Sequence, residues 1–370
     1  MDRFSVVIAG GGVAAIEGLL RLRRLAGDAV KITLLAPNEE FAFRALSVKE
    51  PFALGAAERH PIRHIVRDAG AEWVEDTLSW VDPDGQVVHT GGGSELPYDA
   101  LLVAVGARLT PAFEHATTFR DAEADALLTG IVEDIEGGYT KSVAFIAPPG
   151  PVWQLPLYEL ALMTAERAKD MGMTEVEVIV ATPDGAPLAV FGSNVSDAAA
   201  KLLDEAGVAV HSSTAAEVTG PKSLRLGSQE LEVDRIVALP TISGPAIRGL
   251  PCADADGFIA VDAHCEVPGT NGRIFAAGDA TNFPVKHGGL GSEQADTAAA
   301  AIARLAGAEV DAEPFQPLIR GMLLTGRAPL YMSARLIGTN SSESEVSDTP
   351  LWPSGAKVAA EELSEYLDKR

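Results

Sequence analysis

One short segment near the start of this chain limits its fold more than any other feature. Residues 6–9, Val-Val-Ile-Ala, predict a buried strand, and the run Gly10-Gly11-Gly12-Val13-Ala14-Ala15 follows directly. An Ala- and Leu-rich pattern then predicts a helix over 14–26, and residues 31–35, Lys-Ile-Thr-Leu-Leu, predict the next strand. The order strand, turn, helix, strand is typical of a parallel sheet covered by helices.

The glycine-rich turn has the spacing of a dinucleotide-binding fingerprint. Gly10 permits the tight turn, Gly12 lets a pyrophosphate approach the backbone at the helix N-terminus, and Ala15 replaces the third glycine at the helix–sheet contact. The motif alone does not distinguish FAD from NAD. A tight turn between strand and helix that holds no ligand is the alternative interpretation.

A dinucleotide site also needs a partner for the adenosine ribose after the second strand, where a carboxylate is usual. Ala36 and Pro37 occupy those places in this chain. Asn38 or Glu39 either reaches the ribose from the following loop or is a solvated loop residue.

Further strands and helices extend the same pattern along the chain. Residues 71–89 predict a β-meander around the turn Asp82-Pro83-Asp84-Gly85, and Ala100–Val105 predicts a third parallel strand. A second strand–helix–strand unit is predicted at 143–146, 157–169 and 176–180. Residues 236–239 close this unit, and residues 273–276 return a buried strand to the first one.

This order predicts an α/β fold with two Rossmann-like three-layer domains, the first interrupted by the second, and a small C-terminal α+β domain. The predicted boundaries are 1–115 with 245–310 for the first domain, 116–244 for the second and 311–370 for the third. Within the third, we expect a Ser- and Glu-rich linker of low order at Thr339–Asp348 and a final helix.

Composition excludes several kinds of partner. The chain has 370 residues with 29 Lys plus Arg against 52 Asp plus Glu, a net charge of −23, which repels nucleic acid and anionic lipid. Two cysteines cannot form a disulfide framework and fit a reducing cytosol. No leader segment and no apolar run long enough for a membrane helix is evident, so we expect a soluble, cytoplasmic protein, with a homodimer as one option.

Three distant segments together resemble the FAD-binding signature of the two-dinucleotide-domain flavoproteins. These are the Gly10–Ala15 turn, Tyr98–Arg108 and Ile274–Ala280. Within that superfamily the chain is similar to the branch of type II NADH dehydrogenases, sulfide:quinone oxidoreductases and flavocytochrome c sulfide dehydrogenase flavoproteins. The resemblance implies FAD as cofactor, with Asp279 accepting a hydrogen bond from the ribityl chain and the helix after Lys286 pointing its N-terminus at the flavin pyrimidine ring.

The resemblance also implies which residues lie near the cofactor. Arg44 matches an Arg-Pro or Gln-Pro segment, although Ala45 replaces the proline, and Lys286 and His287 fall at the edge of the ring. The alternatives are a helix N-cap for Asp279 and solvated loop positions for Lys286 and His287. The predicted FAD-binding set is Gly10, Gly12, Val13, Ala14, Ala15, Asn38, Glu39, Arg44, Leu78, Ala104, Val105, Gly106, Gly278, Asp279, Lys286, Gly289 and Leu290.

The second unit departs from a nucleotide site. Its turn reads Ala-Pro-Pro-Gly-Pro-Val-Trp-Gln over 147–154, with one glycine and several prolines that lack backbone donors. Sulfide:quinone oxidoreductases carry a redox cysteine in this turn, where the present chain has Pro148 or Pro149. Trp153, Tyr158 and Glu159 either line the flavin face that meets the donor or acceptor, or pack between the domains.

Other candidate residues carry weaker signals. Cys252 and Cys265 match no metal-ligand spacing and are expected to be inert, and His60 and His64 lack an acidic third ligand, so no metal site is predicted. A basic and apolar stretch is predicted to be a hairpin, either at a quinone or subunit interface or packed within the fold. It contains Arg320, Arg327 and Arg335 with Met322, Leu323, Leu324, Leu330, Tyr331 and Met332.

The sequence therefore predicts an FAD-dependent oxidoreductase that passes electrons to a quinone or a redox protein. It lacks a Cys-x₄-Cys disulfide and an ordinary NAD(P)H turn. Two alternatives stay open: an atypical NAD(P)H:acceptor reductase, and a non-catalytic binding or assembly subunit that contains FAD.

Overall fold

Two five-stranded parallel sheets organise the chain in this computed structural model, which describes residues 3–120, 122–338 and 340–369. The strands before the second sheet are β1 Phe4–Ala9, β2 Val30–Leu35, β3 Glu40–Ala42, β4 Arg59–Pro61, β5 Glu72–Val74, β6 Leu78–Asp82, β7 Val87–Thr90, β8 Glu95–Pro97, β9 Ala100–Val103 and β10 Arg108–Thr110. The others are β11 Thr117–Thr118, β12 Ser142–Ile146, β13 Glu177–Ala181, β14 Val208–His211, β15 Ala216–Gly220, β16 Ser223–Leu226, β17 Gln229–Glu232, β18 Arg235–Ala238, β19 Thr241–Ser243, β20 Ile274–Ala276, β21 Leu318–Leu323, β22 Leu330–Ile337 and β23 Asn340–Ser347.

The α-helices in the described residues are α1 Val13–Ala26, α2 Ile62–Asp68, α3 Ala122–Glu136, α4 Leu155–Asp170, α5 Ser193–Glu205, α6 Gly288–Leu305 and α7 Glu361–Asp368. Short 3₁₀ helices cover Gly27–Ala29, Arg44–Phe52, Ala189–Phe191 and Gly278–Ala280.

The first sheet has the order β20-β9-β1-β2-β5 and is buried on both faces. Val6 and Ile8 of β1 join the apolar cluster that includes α1 and α6, whereas Val7 and Ala9 face Val81 and other residues of the meander on the opposite side. Because alternate strand residues point to opposite faces, a continuous apolar run is what such a sheet requires. The predicted three-layer unit is observed.

The second sheet has the order β11-β18-β12-β13-β14. Its β12 strand divides its side chains in the same way: Val143 and Phe145 pack on the α4 side, and Ala144 and Ile146 pack on the side of β15–β17. The chain then returns to the first sheet, where Phe275 of β20 pairs with Leu102 of β9. The first unit is thus interrupted by the second, as predicted; the numerical domain boundaries remain predictions.

Residues after 311 form a β-sheet and a helix, and their apolar side chains join the cores of both units. Ile319 and Met332 of the β21–β22–β23 sheet belong to the cluster of the second unit, whereas Leu363 of α7 belongs to the cluster of the first. The C-terminal segment therefore bridges the two units.

Two local predictions were wrong. Residues 72–74 do not belong to the meander: β5 extends the parallel sheet, with Trp73 opposite Leu34 of β2, and the meander begins at β6. Residues 340–347 of the expected linker form β23, which pairs with β22 through Val346 and Met332; Thr339 lies outside the described residues. A polar composition is typical of a loop. These residues form a strand because they pair with β22, whose apolar side chains belong to the core.

Candidate functional site

The first turn of the chain, after β1, has room for a ligand at the start of α1. Gly10 has φ of +135°, and a Cβ on it would come within 2.1 Å of the Ala104 carbonyl oxygen, so only glycine fits beside the end of β9. A Cβ on Gly12 would meet no heavy atom within 4 Å, and no side chain caps α1. The uncapped N–H groups of Val13, Ala14 and neighbouring residues are therefore suited to an anion.

The three segments expected to bind FAD meet at this edge of the sheet. The ends of β9 and β20 are tied by the hydrogen bond from Ala277 N–H to Val103, and Ala104 N–H donates to Ala9. A Cβ on Gly278 would lie 3.2 Å from Ala14 Cβ and 3.9 Å from Gly291. The turn that carries Asp279 thus lies against the starts of both α1 and α6.

Asp279 fits a hydroxyl-bearing ligand. It lies in the 3₁₀ turn after β20, largely enclosed, and no described residue donates a hydrogen bond to its carboxylate. Burial raises its pKa, and the charge of nearby Lys286 opposes that effect. The N-cap alternative does not apply, since α6 begins at Gly288 and its N-cap is His287. A half-buried carboxylate without a protein donor is suited to an outside partner, and ribityl hydroxyls can supply one.

Lys286 is buried beside Asp279. Its ammonium donates to the Thr281 carbonyl oxygen and lies 3.6 Å from the centre of the Phe258 ring. Burial lowers its pKa to about 8, while Asp279 and Asp254 favour the charged form. Lys286 is therefore not a solvated loop residue, and it remains mostly charged at pH 7.

His287 closes the first turn of α6. Its Nδ1 accepts a hydrogen bond from Leu290 N–H at 3.3 Å, and burial lowers its pKa to about 3, with Lys357 and Arg320 adding to that effect. The ring is therefore a neutral N-cap. Gly289 and Leu290 are buried beside it.

The remaining predicted FAD residues line the surroundings of this edge. Asn38, Glu39 and Arg44 are exposed after β2, and Ala15 is fully buried on α1. Val105 and Gly106 continue from β9, and Leu78 begins β6 on the opposite face of the sheet. Their contacts with FAD remain predictions.

The corresponding turn of the second unit is filled by its own side chains. The Gln154 side chain is buried at the start of α4, and its Oε1 accepts from the Thr182 hydroxyl at 2.7 Å and the Tyr158 hydroxyl at 3.4 Å. Gly150 alone supplies the left-handed conformation that glycine favours in this turn, with φ of +108°. Because Pro156 lies in the first turn of α4, that turn also lacks one donor.

Tyr158 and Glu159 lie in the interior of the fold, not on an open face. Tyr158 is fully buried, and burial raises its pKa. Glu159 is 1% exposed, pairs with the ammonium of Lys357 and accepts from Leu324 N–H at 2.8 Å. Burial raises the pKa of Glu159 and lowers that of Lys357.

Sequence reasoning missed Lys357. The side chain is buried and also donates to the Met322 carbonyl oxygen, and its charge affects His287. The one indication in the sequence is that Lys357 is the single cationic residue in the apolar run Ala356-Lys357-Val358-Ala359-Ala360. A buried lysine needs an anionic partner, but the sequence does not identify which one.

Trp153 lies between the second turn and the head of α6. Its ring centroid is 4.6 Å from that of His287 and 6.0 Å from that of Phe191, and it is partly exposed. Of the three second-unit candidates, Trp153 is the one that reaches the surface beside α6.

The cysteines do not form a pair. Cys252 is exposed, whereas Cys265 is buried in the core of the first unit, where burial raises its pKa to about 12. His60 belongs to β4 and His64 to α2, so they do not share one helix, and no group of three metal-ligating side chains occurs in the described ranges.

The arginines of the predicted hairpin are paired with glutamates. Arg320 contacts Glu293 at 2.7 Å, Arg335 contacts Glu343 at 3.2 Å, and Arg327 pairs with Glu166. β21 and β22 form the hairpin, which favours the packed alternative. Among the helices described here, none is both long and apolar enough to cross a membrane.

Comparisons with known proteins agree with this architecture. Residues 159–304 match the family model described as pyridine nucleotide-disulphide oxidoreductase. The chain is 26% identical over 302 residues to a sulfide-quinone reductase of Aquifex aeolicus (strain VF5), covering 75% of this chain and 69% of that protein. It is 22% identical over 311 residues to the mitochondrial sulfide:quinone oxidoreductase of Mus musculus, covering 76% and 67%.

The solved structures show the same fold. The sulfide:quinone oxidoreductase of Aquifex aeolicus superposes with a TM-score of 0.81 at 19% identity, covering 99% of this chain and 90% of the other. Together with the three flavin segments joined at one sheet edge, these comparisons identify an FAD-dependent oxidoreductase that matches the pyridine nucleotide-disulphide oxidoreductase model over residues 159–304 and resembles sulfide:quinone reductases.

Proposed function

We propose that this protein passes electron pairs to a quinone, without a redox disulfide and without a dinucleotide donor at its second unit. The Gln154-filled turn of that unit is the observation that carries the proposal. The turn contains prolines where backbone donors would be needed, and the buried Gln154 side chain beside it is already hydrogen-bonded to Thr182. The two relatives that reduce quinones by name support the acceptor.

The first unit supplies the residues that would hold FAD. The N-terminus of α1, next to Gly12, suits the pyrophosphate, and Asp279 suits a ribityl hydroxyl. Bound FAD supplies the reversible two-electron chemistry. Lys286 and the N-terminus of α6 contribute positive potential at the same edge of the sheet, which favours negative charge there.

The Glu159–Lys357 pair supports proton delivery to the acceptor. A quinone becomes a quinol by taking two electrons and two protons, so a buried group that exchanges protons near the head of α6 is useful. Burial moves the pKa values of Glu159 and Lys357 toward each other, which eases proton exchange between them. A cavity of about 190 Å³, lined by Lys49, Leu54, Met163 and Leu324 among others, opens beside the pair.

Donor specificity is tested by anaerobic photometric reduction of the purified holoprotein with NADH, NADPH, sulfide and quinols in turn. We expect neither nucleotide to reduce the flavin in a saturable way, because the second turn offers no pyrophosphate cradle. Tight, saturable reduction by either nucleotide would instead support the atypical NAD(P)H reductase.

Acceptor chemistry is tested by comparing a short-chain quinone with ferricyanide, which takes electrons without protons. Lys357→Met should slow quinone reduction at least about tenfold, by the usual contribution of general acid–base groups, and leave ferricyanide reduction within about twofold. An equal loss of rate with quinone and with ferricyanide would show that the Glu159–Lys357 pair does not deliver protons. If neither donors nor quinones react with the flavin, the non-catalytic subunit becomes the better interpretation.

A further inference from the structure

The C-terminal segment crosses from one unit to the other at the head of α6. We name residues 352–363 the C-terminal strap. At its first end, Trp352 is buried against Tyr331 of β22, and its indole N–H donates to the Ala356 carbonyl oxygen at 3.0 Å. At its other end, Leu363 is fully buried in the core of the first unit.

The strap lies directly on the start of α6. The Val358 side chain would be 3.3 Å from a Cβ placed on Gly288, and the Ala359 carbonyl oxygen 3.5 Å from one on Gly289. The approach to Gly288 is tighter than ordinary packing, and a Cβ on Gly289 would also lie 2.9 Å from the His287 ring, so the strap packs closely on this end of α6. The strap therefore fixes the position of Lys357 relative to the helix N-terminus.

A buried carboxylate in α1 anchors the far end of the strap. Glu17 is fully buried, and its two oxygens accept from the N–H groups of Glu362 and Leu363 at 2.9 and 2.7 Å. It thereby caps α7 from another element. Arg21 and Arg24 of α1 each donate to the Glu362 carboxylate at 2.9 Å.

Neither the cofactor nor the acceptor requires Glu17. The residue lies one turn into the helix that would receive the pyrophosphate; its two oxygens accept from the strap, and the Ser292 side chain of α6 also hydrogen-bonds to it. Burying a carboxylate is costly, and a bare helix end on the surface could be capped by water or by a residue of its own. We therefore expect the contact between Glu17 and the strap to do more than cap α7.

We propose that the strap is a positioning device and that Glu17 is the positioning residue that holds Lys357 against Glu159 at the head of α6. The inference depends on the proposed function only in placing the flavin at that helix N-terminus. If Glu17 is lost, the strap loosens, and Lys357 no longer holds a fixed positive charge there.

The test is a double-mutant cycle on the flavin midpoint potential, measured by dye equilibration on holoprotein. Lys357→Met should shift the reduction equilibrium about tenfold toward the oxidised flavin, which is about 30 mV for a two-electron couple. Glu17→Ala should shift it in the same direction by a smaller factor. The double variant should match Lys357→Met alone, because Glu17 acts through Lys357.

A matched control uses Glu365→Gln, which removes an exposed carboxylate from α7 that contacts Arg24 and Lys369 but not Glu17's partners. Its potential should equal that of the native protein. Amide hydrogen exchange over residues 358–363 should accelerate at least about tenfold in Glu17→Ala and stay unchanged in the control.

Leu363→Ala provides a second route if Glu17→Ala fails to retain FAD. It weakens docking of the strap without altering any charge, and should lower the midpoint only when Lys357 is present. The proposal would be overturned if the midpoint shifts added up in both double-mutant cycles, or if neither Glu17→Ala nor Leu363→Ala changed the midpoint. Since the potential needs no acceptor, a holoprotein that shows the coupling but reduces no quinone would refute the proposed function and leave the strap standing.

Discussion

The two Rossmann-like units share the order strand, turn, helix, and no described side chain caps the helix in either, but the side chains around the two turns differ. In the first unit, Gly12 leaves space before α1, and Asp279 nearby has no donor among the described residues. In the second, Gln154 fills the space before α4, and Glu159 is paired with Lys357. The first unit leaves a carboxylate without a protein donor among the described residues, whereas in the second the buried side chains of Gln154 and Glu159 have protein partners.

The difference shows that sheet topology does not fix ligand binding. Both sheets are parallel and present the carboxyl ends of their strands at a helix N-terminus, which is where open α/β sheets bind ligands. Whether a site results depends on a few side chains in the turn. A buried polar network that is already complete has little to gain from a ligand.

The most severe test of the open first turn is Gly12→Val. A Cβ there would meet no protein atom within 4 Å, so the chain should fold, but the side chain would occupy the space proposed for the pyrophosphate. We expect a soluble, colourless protein. Flavin content after purification and after incubation with FAD measures the effect.

Gly130→Val is the matched control, because a Cβ on Gly130 in α3 also meets nothing within 4 Å and lies away from the turn. It should retain about one FAD per chain. Full flavin content in Gly12→Val would show that the first turn is not the pyrophosphate site.

The completed second unit is tested by removing one partner of its buried ion pair. Lys357→Met leaves the Glu159 carboxylate buried with the Leu324 N–H as its one remaining donor among the described residues. Breaking such a pair costs about 3–5 kcal/mol. Denaturant unfolding should show this loss, and the double variant with Glu159→Leu should recover most of it. A loss below about 1 kcal/mol would mean that water replaces Lys357.

The sequence predicted the first unit better than the second for a physical reason. A glycine turn between a strand and a helix is a local pattern, so Gly10 and Gly12 could be interpreted from their own segment, and the role of Asp279 followed from the family resemblance. The Glu159–Lys357 pair joins residues 198 apart, and Gln154 is satisfied by Thr182 from the next strand. No local pattern encodes those partners, so Glu159 could not be distinguished from a residue that lines the flavin.

The C-terminal region illustrates the same limit. The final helix was predicted, but β23 was not, because its residues are polar and its pairing with β22 stabilises the strand. Likewise, Trp73 pairs with β2 although its neighbours in sequence form the meander. Tertiary pairing decided both cases.

Asp279→Asn tests whether the first unit is incomplete in the absence of FAD. In flavin-free protein, Asp279 has a raised pKa, so the folded state binds more protons than the unfolded state, and the unfolding free energy falls as pH rises above about 4. Asparagine does not titrate, so Asp279→Asn does not lose unfolding free energy in this way as pH rises. Its stability relative to native protein should therefore improve from pH 4 to pH 7, by about 1 kcal/mol.

The same variant should bind FAD less tightly, because a charge-assisted hydrogen bond to a hydroxyl is lost. We expect about 2 kcal/mol, or roughly thirtyfold in Kd. Fluorescence titration with FAD gives the affinity. Weaker binding without the pH-dependent gain in stability would mean that the flavin-free protein already satisfies Asp279, contrary to the contrast between the units.

The smallest expected effect concerns Lys286, the charge beside the open site. Its ammonium and the N-terminus of α6 both favour negative charge at the same edge, so removing one should leave part of the effect. A contribution of about 1–2 kcal/mol corresponds to a midpoint lower by roughly 20–45 mV in Lys286→Met. FAD content should not change, because the residues proposed to hold the cofactor, Asp279 and the glycine turns, are unaltered. Since the pKa of Lys286 is about 8, the difference between variant and native protein should shrink as pH rises past that value. Dye equilibration at pH 7 and pH 9 measures both shifts, and equal midpoints at pH 7 would place Lys286 outside the flavin site.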